Sequence, residues 1–250
     1  MRALFFVGLW LFLSLSVSAQ TITVSNFLNS DAPVARGSLA LITGQTLTDE
    51  EAFDPFFAPT TLSGVTVKLD GVLQRIQLVS ATRAVILVQA QGKAVRTLEL
   101  KTKFNVTHTA TVSVATVWPG IAVQDQVEES ERFYAAGTYT NDPSGIVRTA
   151  ISSAPIPVGS AAFPTRVFIQ CAGLRLGGST KEVTVKLNGV PCPVVSVNAS
   201  LFFAGLDEVI FQIPPQLANN GVMDLTVSVI GRNSNLARIN LGPALSLTGK

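Results

Sequence analysis

Four carboxylates, Asp49, Glu50, Glu51 and Asp54, fall within six residues and are interleaved with Phe53, Phe56 and Phe57. Crowded carboxylates can hold Ca²⁺, which takes six to eight oxygen ligands, although this spacing matches no EF-hand loop. The phenylalanines can instead present flat apolar faces to a ligand. The same residues also read as a solvated loop whose rings pin it to the body of the protein. Tyr134 and Tyr139, close to Phe133, form a second aromatic group of candidate ligand contacts. Aromatic platforms stack on sugar rings, but beyond residue 19 the chain has one Trp, Trp118, and two Tyr, so such surface is scarce. Trp118 precedes Pro119-Gly120 and reads as packing at the edge of a structural unit.

Hydrolytic catalysis needs a nucleophile with a base, or paired carboxylates across a cleft. The one histidine, His108, stands in NVTHT at the start of an alternating segment, where an exposed edge position is expected. No GxSxG, HExxH or phosphate-cradling glycine loop is present, and Gly177-Gly178-Ser179 is a turn signal. The expectation is a protein that is not an enzyme and carries no cofactor or metal, with the Asp49–Asp54 acids as the one weak Ca²⁺ candidate. Cys171 and Cys192 both lie in the second half. They read either as a disulfide or as two buried thiols. A bridge would close a loop of about 20 residues, worth roughly 3 kcal/mol in the chain-entropy picture. Asn105-Val106-Thr107 and Asn198-Ala199-Ser200 fit the glycosylation sequon and carry no information by themselves.

The elements that would position these residues are strands. Val65, Val67 and Leu69 alternate with Thr66, Lys68 and Asp70, and Thr111 to Val114 and Leu225 to Val229 alternate likewise. Such a period sends one set of side chains to a core and the other to water. Asp70-Gly71 and Asn188-Gly189 are two-residue hairpin signals, Asn220-Gly221 is a third turn, and beyond the N-terminus no segment has a helical period. Residues 64–72, GVTVKLDGV, recur at 182–190 as EVTVKLNGV, with seven of nine positions identical. A repeat of that spacing is domain-sized rather than a solenoid unit. It extends to GSLALITGQTL and PTRVFIQCAGL upstream, and to AVILV and VIFQI downstream. Each copy is expected to close with an alternating strand, at 109–117 and 225–230.

Residues 1–19 read as a secretory signal: Arg2, an apolar run from Leu4 to Leu15, then Val17-Ser18-Ala19. That run is short of the roughly 20 residues a spanning helix needs, so no membrane insertion is expected after cleavage, and the location is secreted, periplasmic or cell-surface. With 47% hydrophobic and 14% charged residues the chain is globular, not disordered. A net charge of +2 without a basic stripe argues against nucleic acid.

The order GQTL or CAGL, then VTVKLDGV or VTVKLNGVPCPV, then VIFQIP, with VWPGI between the copies, resembles the Solibacter-type C-terminal domain of secreted bacterial proteins, itself similar to immunoglobulin-like IPT/TIG modules. The resemblance covers about residues 22–242. GVPCPV and VIFQIP are its most specific pieces. The first copy departs from it, reading LQRIQLV after its turn and lacking FQIP. The family usually ends larger exported proteins, and no catalytic residues are established for it, so none carry over.

The expected architecture is all-β: two tandem immunoglobulin-like β-sandwiches, at 20–120 and 161–250, joined by an ordered connector at 121–160. This connector contains the acids Glu128, Glu129 and Glu131 and a hairpin between the flanks 133–139 and 146–151. The expected function is a non-enzymatic exported interaction or adhesion module that binds a protein or polysaccharide of the envelope or extracellular matrix through loops or strand edges. A carbohydrate-binding protein using exposed aromatic loops, and a structural spacer, are the alternatives.

Overall fold

The computed structural model describes residues 21–89, 94–124, 134–174 and 182–242. The signal segment, Phe133, the acids at 128, 129 and 131, and Gly177 to Ser179 lie outside them. The described residues are all-β and hold no α-helix.

Four sheets form, in two facing pairs. Sheet 1 runs β1 (Thr23–Asn26), β3 (Leu39–Thr43), β9 (Arg83–Leu87), β8 (Arg75–Val79), β4 (Ala52–Phe53). Sheet 2 runs β2 (Val34–Ala35), β11 (Thr107–Ala115), β10 (Val95–Lys101), β6 (Val65–Leu69), β5 (Thr61–Leu62), with β7 (Val72–Leu73) also on β6. Sheet 3 runs β16 (Thr149–Ala150), β15 (Gly137–Thr140), β17 (Arg166–Ala172), β21 (Asp207–Gln212), β20 (Val194–Ala199), with β12 (Gly120–Ile121) on β17. Sheet 4 runs β13 (Val123–Gln124), β14 (Tyr134–Ala135), β24 (Ala237–Asn240), β22 (Val222–Val229), β18 (Val183–Leu187), β19 (Val190–Cys192), with β23 (Arg232–Asn233) on β22.

The alternation of Val65, Val67 and Leu69 puts all three in a first core with Ile42, Ile76, Ile86, Leu98 and Leu100. Val183, Val185 and Leu187 enter a second core with Ile169, Phe211, Leu225 and Ile239. The two repeat strands therefore occupy the same place. Each sits beside a long strand, β6 against β10 and β18 against β22, and each closing strand lies next along. The closing strand of the second copy is therefore β24. Residues 225–229 of the segment expected in that place belong to β22, because pairing order in the sheet rather than alternation decides which strand closes the copy. The described residues 120–124 and 134–150 contribute strands to sheets 3 and 4: β15 pairs with β17, and β14 runs parallel to β24 as β2 does to β11. Within the flanks expected to form a hairpin, β15 and β16 pair, with Thr138 opposite Ala150 and Tyr139 opposite Thr149.

A third buried cluster joins the halves. Leu39, Val85 and Leu87 on the outer face of sheet 1 pack with Ala172 and Leu206. Their neighbours Ala40, Ile42, Ala84 and Ile86 face the first core. LALI and AVIL thus carry apolar residues on both faces, the pattern of strands covered on both sides. Polar ties reinforce the junction. Trp118 N donates to Gly173 O at 3.2 Å, and the Arg232 guanidinium lies 4.8 Å over the Trp118 ring. Just beyond the junction, within the second half, Asn235 brackets the backbone of Ile121, accepting from its N–H at 2.7 Å and donating to its carbonyl at 2.9 Å.

Candidate functional site

Where the two halves meet, an apolar recess of about 220 Å³ opens to solvent, lined by Phe27, Leu39, Phe53, Leu78, Phe203 and Leu206, with Gln77 and Val85. Its rim comes from two loops. The first, residues 49–58, is held down by β4 on β8 and by Asp54 N donating to Gln77 O at 2.7 Å. Asp54 Oδ1 then accepts from Phe57 N at 2.9 Å, an Asx-type turn that lifts the two rings. Phe53, Phe56 and Phe57 are 60%, 61% and 79% exposed, so they face solvent and do not pin the loop down. The second loop, residues 200–206, is shaped by Ser200, whose Oγ accepts from the N–H of Phe202 and of Phe203, both at 3.3 Å. Gly205 closes it at φ +84°. That left-handed backbone favours glycine, and a Cβ there would also sit 2.7 Å from Leu39 Cδ2 and 2.9 Å from Leu87 Cδ1, displacing these side chains.

Gln77 couples the loops. Buried in β8, it donates from Nε2 to Ala204 O at 2.5 Å and to Pro55 O at 3.4 Å, while Ala204 N donates to Pro55 O at 3.2 Å. A buried amide bonded to both loops fixes their spacing, since leaving it unbonded would cost about 1–3 kcal/mol.

The acids of the first loop do not converge on a cation site. Lys103 Nζ lies 2.6 Å from Asp49 Oδ1 and 3.4 Å from Glu50 Oε1. Its hydrogen bond holds the Asp49 carboxyl below the usual carboxylate range, and the Asp49 hydrogen bond raises the Lys103 ammonium. Asp54 serves the turn, and among the described residues no group of three or more His, Cys, Asp or Glu could hold a metal. Of the four acids considered for Ca²⁺, Asp49 and Glu50 are thus paired with an ammonium and Asp54 with the backbone of its own turn.

Other expected positions also move. Tyr134 is buried at 5% exposure, paired on one side with Gln124 and on the other with Arg238, and cannot offer its face to a ligand. Tyr139 is half-buried and packs on the second core. His108, expected at an exposed edge, is buried opposite Leu100, since its place in β11 turns it toward the core. Cys171 and Cys192 are free thiols, both in the second core, on strands of facing sheets, so the bridge is not formed. Burial, with the Asp207 charge beside it, pushes the Cys171 thiol up, and burial pushes Cys192 up to about 12.

Of the candidate contacts, then, Phe53 lines the recess, and Phe56 and Phe57 stand exposed on the same loop. Phe27, Phe202, Phe203 and Leu206 were not singled out from the sequence. The two-sided apolar runs LALI and AVIL were the signal that the outer face of sheet 1 must be covered, and what covers it brings these residues in.

No family model matches the chain, and no curated protein matches it. Among solved structures, the chain is similar to the Bacteroides ovatus mixed-linkage glucan utilization locus protein SGBP-B, solved with a mixed-linkage heptasaccharide, at 12% identity over 83% of this chain and 43% of that one, TM-score 0.33. It is similar to the surface layer protein SbsC, domains 4–9, at 16% identity over 90% of this chain and 31% of that one, TM-score 0.25. It is also similar to titin Ig tandem domains at 10% identity over 82% of this chain and 89% of that one, TM-score 0.23. The chain thus spans less than half the length of the first two, and all three similarities are distant.

Proposed function

We propose that this chain is a non-enzymatic, exported interaction module of two tandem immunoglobulin-like sandwiches, the second starting near Gly120, and that it binds an apolar group of a protein partner in the recess between them. The recess carries this reading: an apolar hollow of about 220 Å³ with exposed rings at its rim. Roughly 150 Å³ of apolar cavity accommodates one benzene ring, so the space suits a single bulky side chain. Apolar clefts with few polar groups are the usual form of a binding site. Export rests on the N-terminal residues, and no helix among the described residues is long and apolar enough to cross a membrane. The similarity of VTVKLNGVPCPV and VIFQIP to the Solibacter-type domain fits the same reading.

A polysaccharide partner is the second reading, favoured by the open rings of Phe56 and Phe57. It is weaker, because sugar hydroxyls require hydrogen bonds beside the stacking face, and the polar group at the recess, Gln77, has its Nε2 committed to both loops.

The test is retention of the chain, and of its Phe53→Ala/Phe203→Ala variant, on the envelope proteins of the source organism and on insoluble polysaccharides, with and without EDTA. Retention on envelope protein, lost in the variant and indifferent to EDTA, is expected. Retention on a polysaccharide alone would overturn the protein-partner reading.

A further inference from the structure

We propose that the partner's anchor is a bulky apolar side chain flanked by lysine or arginine, so that the recess and its acidic loop together read a basic-apolar segment; this rests on the recess being the binding site. The observation is a local reversal of charge. The chain as a whole is +2, yet the loop that walls the recess carries Asp49, Glu50, Glu51 and Asp54 and no base, while the facing loop, residues 200–206, carries no charge. Lys103 answers Asp49 and Glu50. Among the described residues Glu51 and Asp54 join no ion pair, and they bracket Phe53, which lines the recess. A negative rim beside an apolar hollow attracts positive partners and repels negative ones, and this sets specificity more than affinity.

The rings add a second preference of the same sign. Phe56 and Phe57 stand open beside these acids, and an aromatic face attracts a guanidinium through its quadrupole. The protein makes that contact elsewhere with its own residues, Arg148 lying 3.8 Å from the Phe168 ring centre and Arg232 4.8 Å from that of Trp118. A partner arginine over Phe56 or Phe57 would combine this contact with the carboxylates of Glu51 and Asp54.

Three fluorescein-labelled octapeptides with one central Trp, flanked by Lys/Arg, by Ser or by Glu, test this by anisotropy with the full chain. The basic peptide is expected to bind about tenfold tighter than the acidic one at low salt, with the gap narrowing as salt screens the rim. Glu51→Lys should erase most of that preference, and Phe203→Ala should weaken all three peptides. Phe53→Ala replaces Phe203→Ala if circular dichroism shows the latter misfolded. Equal binding of the three peptides, lost in Phe203→Ala, would overturn the charge reading and leave the recess standing. Binding of the basic peptide that ignores Phe203→Ala and Phe53→Ala would place it elsewhere and overturn both, as would no binding by any peptide.

Discussion

The hairpins at Asp70-Gly71 and Asn188-Gly189 are built alike, and the loops that wall the recess are not. In both turns the two residues take positive φ, 46° and 82° in the first, 44° and 83° in the second, as a type I′ hairpin requires. In both, the first residue ties the turn to the neighbouring strand. Asp70 N donates to Thr97 O and Asp70 Oδ1 accepts from Thr97 N, each at 2.9 Å. Asn188 N donates to Asp224 O at 2.8 Å, and Asn188 Oδ1 accepts from Asp224 N at 2.7 Å. What is repeated is therefore a backbone device in which Asp and Asn serve equally, with Asp70 adding a 3.2 Å ion pair to the buried Arg96. Residues 49–58 and 200–206 have no such counterpart, and there the apolar rings are exposed. Frameworks tolerate repetition because their bonds are made by backbone, whereas a binding surface is free to differ in each copy.

The largest difference in stability is expected between a turn glycine and a junction glycine. Gly173 has φ +77°, and a Cβ there would meet Trp118 O at 2.1 Å, while one at Gly189 meets nothing within 4 Å. Gly173→Val should cost about 4 kcal/mol, from left-handed strain plus a clash with fixed backbone, and Gly189→Ala about 1 kcal/mol. Equal losses in urea unfolding would mean that the junction yields.

The thiols of the second half should separate the halves at high pH. The folded Cys192 thiol ionises near 12, against 9.0 for an ordinary thiol. The folded state therefore keeps a proton that the unfolded chain loses. Stability is full below pH 9 and falls as pH rises toward 12. Cys192→Ala should flatten that decline, and an unchanged alkaline unfolding curve would show the thiol to be reached by water.

Between the two turns, Asp70→Ala should cost about 2 kcal/mol and Asn188→Ala about 1 kcal/mol, because the first also strips a carboxylate from a buried guanidinium. Asp70→Asn should recover the lower figure. If it does not, charge rather than the backbone tie holds the first hairpin.

The smallest effect on stability belongs to the rim. Phe56→Ala/Phe57→Ala should change the unfolding free energy by less than about 0.5 kcal/mol, as exposed substitutions do, while weakening partner retention. An unfolded double variant would make these rings part of the core.

Local periodicity and turn chemistry were legible in the sequence, and with them the all-β class, the DG and NG hairpins and the inward sets Val65, Val67, Leu69 and Val183, Val185, Leu187, because side-chain direction in a strand alternates whatever the strand pairs with. The openness of Phe53, Phe56 and Phe57 is different: the loop reading allowed it, and the Asp54 turn decided it. Burial of Tyr134 and His108 depends on which strands come to lie beside β14 and β11, and the place of β24 as closing strand depends on sheet order, neither of which a single strand encodes. The recess belongs wholly to the tertiary structure. It draws Phe27, Phe53, Leu78 and Phe203 from four separate segments, and it exists because the outer face of sheet 1 is apolar and must be covered by the second half.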